Sequence, residues 1–159
     1  MLDKPWDGIR ETAVLELVGA DEQIDQNELG AAVSFTLPGE PPSSGELLSF
    51  TFISSAGDIQ TPSGQLLIFD ADPGHNAGDD GSGVSAAEWK ALIGEIDVGA
   101  GDWKSEDNAA WISIKDEVVP FHAVDTLYFV WRHTDATSLN DGAGDDEVLE
   151  VNIWYARWS

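Results

Sequence analysis

Val148-Leu149-Glu150-Val151-Asn152-Ile153-Trp154-Tyr155 is the stretch whose reading decides the fold. Leu149, Val151, Ile153 and Tyr155 fall on one side of an extended chain, because successive strand side chains point to opposite faces. Glu150 and Asn152 take the other side, and Trp154 stands in phase with them. The segment therefore reads as a strand with one buried face and a large indole on its solvent face. Trp158 continues that outer face.

Working outward, the same apolar, β-forming character returns in Ala13 to Val18, Val33 to Leu37, Leu47 to Ile53, Leu66 to Phe69, Trp111 to Ile114 and Leu127 to Trp131. Between these runs lie turn-forming stretches. They include Gly39 to Gly45, Ala56-Gly57-Asp58, Pro62-Ser63-Gly64, and the Asp/Gly-rich segments 70–83 and 135–147. Short strands separated by turn signals predict an all-β antiparallel sandwich, jelly-roll-like, with no internal repeat. Leu48, Phe50 and Phe52 alternate with Ser49 and Thr51, and Leu66 to Phe69 is apolar on both faces, as a covered central strand would be. One short helix is predicted over 85–93. Ser85 and Glu88 form a capping box, Gly94 provides a stop, and Trp89, Leu92 and Ile93 share a face that would plug one end of the sandwich. Trp89 and Trp111 are expected in the core.

Composition narrows the function. The 159 residues fit one domain, 1–159, with 1–10 as an extended N-terminal arm. Cysteine is absent, so neither a disulfide framework nor a thiolate metal site is available. The N-terminus lacks the layout of a signal peptide, and no apolar run approaches the roughly 20 residues that cross a bilayer. Seven basic against thirty acidic residues give a net charge of −23. That charge repels phosphates and anionic lipid, so nucleic acid and membranes are not expected partners. Seven Trp and six Phe argue against disorder.

Catalytic signatures are missing. His75, His122 and His133 show no zinc spacing and no HExxH, and no nucleophile elbow accompanies them. His122 and His133 are read as surface or rim residues. With thirty carboxylates, some acidic pair reaches glycosidase separation by chance and carries no information. The chain is therefore read as a non-enzyme that needs no cofactor. Asp70, Asp72 and Asp79 in the loop before the helix have the chemistry of calcium ligands. The loop fails the EF-hand register, however: counting from Asp70, position 6 is His75 and position 12 is Gly81. Its bland reading is a solvated Asp/Gly turn.

The pieces Leu67 to Pro73, Ala86 to Gly94, Val119 to Ala123, Thr126 to Asp135 and Asp145 to Asn152 together resemble small structural proteins of tailed bacteriophages, especially marine ones, among them capsid decoration (cement) proteins. The resemblance spans residues 65–155. It implies a virion protein made in the host cytoplasm and added to the capsid surface, a homo-oligomer with a trimer favoured, bound to the major capsid protein. Trp6, Ile9, Trp154 and Trp158 are then the expected partner-binding residues; the equal alternative is that a loop or the N-terminal arm, through Trp6, covers Trp154 and Trp158 within the same chain. The alternative is a carbohydrate-binding or receptor-binding sandwich, tail-associated, whose exposed tryptophans stack on sugars.

Overall fold

The computed structural model describes residues 9–19, 22–55, 61–74, 86–106, 109–136, 138–140 and 148–157. Ten strands are present among them: β1 Ile9–Val18, β2 Val33–Thr36, β3 Ser43–Ser55, β4 Gly64–Phe69, β5 Leu92–Val98, β6 Lys104–Glu106, β7 Ala109–Ile114, β8 Val119–Val124, β9 Thr126–His133 and β10 Val148–Arg157. The single described α-helix, α1, is one turn long, Ala86–Trp89.

The strands pair from the ends of the chain inward: β1 with β10, β2 with β9, β3 with β8 and β7, β4 with β5, all antiparallel. Winding such a ribbon sends alternate pairs to opposite sheets. One sheet runs β1-β10-β3-β7-β6, with β8 on the first half of β3; the other runs β2-β9-β4-β5. This is jelly-roll connectivity, as the sequence led us to expect, and the inserted helix is there too.

Inward-facing residues of both sheets form one core. Leu15, Phe50, Phe52, Leu66, Ile68, Phe129, Trp131, Leu149, Val151 and Ile153 are all buried in it. Fully burying a side chain of this kind stabilises by about 1.5–3 kcal/mol. Phe52 and Trp131 meet across the gap with ring centroids 6.1 Å apart. Gly64 makes room for that indole, since a Cβ there would lie 2.3 Å from Trp131 Cζ2.

Four expectations need correcting. The helix ends at Trp89, and Leu92 and Ile93 belong to β5, which pairs with β4. The alternation Glu95-Ile96-Asp97-Val98 suits a strand, and Gly94 lies inside it as a space for Val119, whose methyls would be 2.8 Å from an added Cβ. Leu47 rather than Leu48 joins Phe50 and Phe52 in the core, because a bulge opposite Trp154/Tyr155 shifts the phase. Ile9 and Arg10 are not part of an arm; they open β1, which pairs with β10 along its length. His133 is buried on β9, not at the rim, with its backbone N–H donating to the Glu28 carbonyl. The capping residue Ser85 lies outside the described residues.

Candidate binding surface

Strand parity fixes what each sheet shows to the outside. On the four-stranded sheet the outward residues Leu67 and Phe69 of β4 and Val130 of β9 are buried with Leu29, and Trp89, Ala91 and Leu92 pack over them. Trp89 and Phe69 hold ring centroids 5.9 Å apart. The helical turn thus lies on the sheet face rather than at the end of the sandwich, and Trp89 is half-buried as a lid.

The six-stranded sheet has no such cover among the described residues. Its outward side chains form cross-strand rows. Thr12, Trp154 and Ser49 make one, and Val14, Asn152, Thr51 and Ser113 the next. Glu16, Glu150, Ile53, Trp111 and Lys104 make the third. Trp154 is 50% exposed and Val14 is 59% exposed, and they are diagonal neighbours. Thr12, Ser49, Thr51, Asn152 and Ser113 around them carry no charge, and Thr51 and Ser113 share a hydroxyl hydrogen bond of 3.0 Å. Charge resumes on either side of these two rows: Arg10 and Glu46 flank Ala156 before the first, and Glu16 faces Glu150 in the third. In a chain of net charge −23 this is a neutral island. Depletion of charge with an exposed aromatic is the composition of an interface centre.

A polar cluster pins the strand that carries Val14. Tyr155 OH donates to Glu11 Oε2 at 2.5 Å, and Arg157 donates to Glu11 Oε1 at 3.2 Å. Donation from Tyr155 holds the Glu11 carboxyl below the usual range; partial burial opposes this and Arg157 assists it. Burial, reinforced by the Glu11 carboxylate, pushes the Tyr155 phenol up. Phe35 meets the Tyr155 ring edge-on at 5.5 Å, so the cluster also ties β10 to the opposite sheet.

A second feature lies at the far edge. β6 departs opposite Trp111, leaving Ile112 to Ile114 without a strand partner on that side among the described residues. Beside this edge opens a cleft of ≈ 390 Å³, bounded by Asp97 of β5, the turn carrying Asp102, and Lys115 to Glu117. Trp111, half-buried, forms part of its lining and belongs to neither apolar cluster, so the expectation of a core Trp111 is corrected. Trp103 does pack on the core, and its indole N–H donates to the Pro62 carbonyl at 3.0 Å.

The other sequence-based candidates are dispersed. Ile9 lies opposite Arg157 at the start of β1, while Trp6 and Trp158 are outside the described residues. Asp70 and Asp72 border an open groove that also includes Asp125. Asp72 Oδ1 accepts the Gly74 N–H at 2.9 Å, the hydrogen bond of an Asx-turn. Asp79 is outside the described residues, and among those described no three His, Asp or Glu side chains stand close enough to hold a metal ion. His122 is exposed, with Nδ1 3.3 Å from Ser44 Oγ. Sequence reasoning found Trp154 by its phase but missed Val14, whose outward phase in Ala13-Val14-Leu15 was legible once β1 was aligned.

No protein-family model matches the chain, and no curated protein sequence matches it. Among solved structures it is similar to the C-terminal family 6 carbohydrate-binding module of LamC, a marine laminarinase from Zobellia galactanivorans. That pair shares 12% identity and a TM-score of 0.39, over 90% of this chain and 98% of that one. A cleaved adhesin domain of Lys-gingipain from Porphyromonas gingivalis gives 16% identity and a TM-score of 0.31, over 79% and 63%. A chain of the native virion of Kashmir bee virus gives 10% and 0.33, over 100% and 75%. Likenesses this distant carry no argument about what the chain does, and its function has to be read from its own surface.

Proposed function

We propose that this chain is a non-enzymatic adhesive jelly-roll of a virus particle, decorating the outside of a tailed-phage capsid and holding the major capsid protein through the Val14–Trp154 face. The observation that carries this reading is the neutral, partly apolar island that no described residue covers on an otherwise acidic body. A surface of this charge resists casual self-association, so the gap in it marks where contact is tolerated. Attachment to a shell that presents many equivalent sites suits a homotrimer, each copy docking the same face. The resemblance of residues 65–155 to decoration proteins supports the same assignment.

Mass spectrometry of purified particles tests it. The chain is expected at hundreds of copies per particle, and a Trp154→Ser chain is expected to be left behind in the soluble fraction. Its absence from particles, or undiminished incorporation of the variant, rejects the assignment.

A second reading has one observation in its favour. Trp154 is ringed by Thr12, Ser49, Thr51 and Asn152, side chains that hydrogen-bond hydroxyls without charge. Under that reading the face is a sugar platform. Trp154→Ser then abolishes glycan binding while the oligomer sediments unchanged.

A further inference from the structure

We propose that the cleft at the β6–β7 edge is a separate binding site for an uncharged saccharide, with Trp111 as its stacking wall. The inference goes beyond the docking role and does not depend on it. Val14 and Trp154 stand on β1 and β10, while the cleft lies at the β6–β7 edge of the same sheet and is bounded also by β5. On the sheet, Trp154 and Trp111 are two strands and four residues apart, about 16 Å by ordinary strand spacing and rise.

Chemistry selects the ligand class. The volume, ≈ 390 Å³, is within the range of small-ligand sites. A half-buried indole offers a flat apolar surface, which matches the apolar face of a pyranose ring. Around it stand hydrogen-bonding groups of both senses. Ser113 offers a hydroxyl, Lys104 and Lys115 offer ammonium donors, and Asp102, Asp116 and Glu117 offer acceptors to vicinal hydroxyls. Asp97 adds a carboxylate that is already oriented, since Gln65 donates to its Oδ1 at 2.9 Å. The edge of Ile112 to Ile114 adds backbone donors and acceptors that no strand consumes among the described residues.

Other classes fit worse. Four carboxylates against two ammonium groups repel phosphate, sulfate or carboxylate ligands in a chain already strongly negative. Among the described residues no trio of acidic side chains is placed to hold a cation. An added peptide strand would find only three open residues before β6 blocks it. An uncharged ring with one apolar face and a rim of hydroxyls uses every group present.

The test is a titration of the full chain, followed by tryptophan fluorescence and calorimetry, with chitohexaose, cellohexaose and maltohexaose as neutral probes. Spermidine and an acidic peptide serve as the competing classes. At least one oligosaccharide is expected to bind at micromolar to millimolar concentration. Trp111→Leu is expected to weaken it roughly tenfold or more, and Trp154→Ser to leave it unchanged. If Trp111→Leu does not fold, Lys104→Ala combined with Asp116→Ala, both at exposed positions, is expected to give the same loss. No binding of any of the three oligosaccharides overturns the proposal. So does binding that survives the cleft variants, binding that disappears only with Trp154→Ser, or saturable binding of spermidine or peptide alone. Loss of particle incorporation in Trp154→Ser with saccharide binding intact separates this site from the docking face.

Discussion

The two sheets carry apolar groups on their outer faces, and they treat them in opposite ways. The four-stranded sheet presents Leu67, Phe69 and Val130, and the chain returns over them with Leu29 and the helical turn at Trp89. The six-stranded sheet presents Val14 and Trp154, and no described segment returns over those. The difference is that, among the described residues, one outer face is built into the folded core and the other is the face proposed for docking.

Substitutions on the two faces should therefore part company. Phe69→Ala, on the covered face, is expected to cost about 3–5 kcal/mol by chemical denaturation, the range for a fully buried phenyl. A loss below about 1 kcal/mol would mean that this face is not part of the folded core. Trp89→Ala removes the half-buried lid and is expected to cost roughly 2 kcal/mol, since part of its area is already in water. Tyr155→Phe removes the donor to Glu11 and is expected to cost about 1.5 kcal/mol, as a hydrogen bond to a charged group does.

The Tyr155 pairing also fixes a pH dependence. The Glu11 carboxyl is held below its unfolded value, so its contribution is complete above that value, about 4.3, and disappears as pH falls through the lower, folded one. Acid denaturation of Glu11→Gln should consequently lose part of its pH slope below about pH 4. A slope equal to the parent's would show that the Tyr155–Glu11–Arg157 cluster does not form.

Trp154→Ser, on the bare face, is expected to change stability by no more than about 0.5 kcal/mol while removing attachment. A loss comparable to that of Phe69→Ala would show that some part of this chain covers the face after all, and the comparison would fail. The smallest effect is expected from calcium. Millimolar calcium should leave the melting temperature unchanged, because Asp72 already serves a turn and no ligand trio is assembled among the described residues. A rise would restore the loop of Asp70, Asp72 and Asp79 as an ion site.

Much of the fold was legible because strand parity is a local property. The phase of Trp154 followed from its neighbours, and the double-sided burial of Leu66 to Phe69 announced a central strand. What escaped was decided by distant partners. β5 was hidden behind a capping box whose helix stops after one turn, because pairing with β4 outcompetes it. β8 was hidden by Pro120, which is tolerated where it pairs with β3 on one side only. The phase error at Leu48 came from a bulge that no neighbouring residue signals. For the binding surface, sequence supplied Trp154, but Trp111 was misplaced: it alternates with the inward Ala110 and Ile112 and so shares the outer phase of Ser113.

The pairing of β1 with β10 has a consequence for how the molecule is made. Ile9 meets Arg157 and Leu15 meets Val151, so the edge strand that begins the described chain finds its partner only after nearly everything between has been synthesised. Closing such distant pairs is entropically slow, and until then Leu15, Leu17 and the apolar stripe of β3 have no lid. Sticky intermediates of this kind aggregate when crowded on polysomes. The mutual repulsion of thirty carboxylates is a ready safeguard for nascent chains waiting for their last strand.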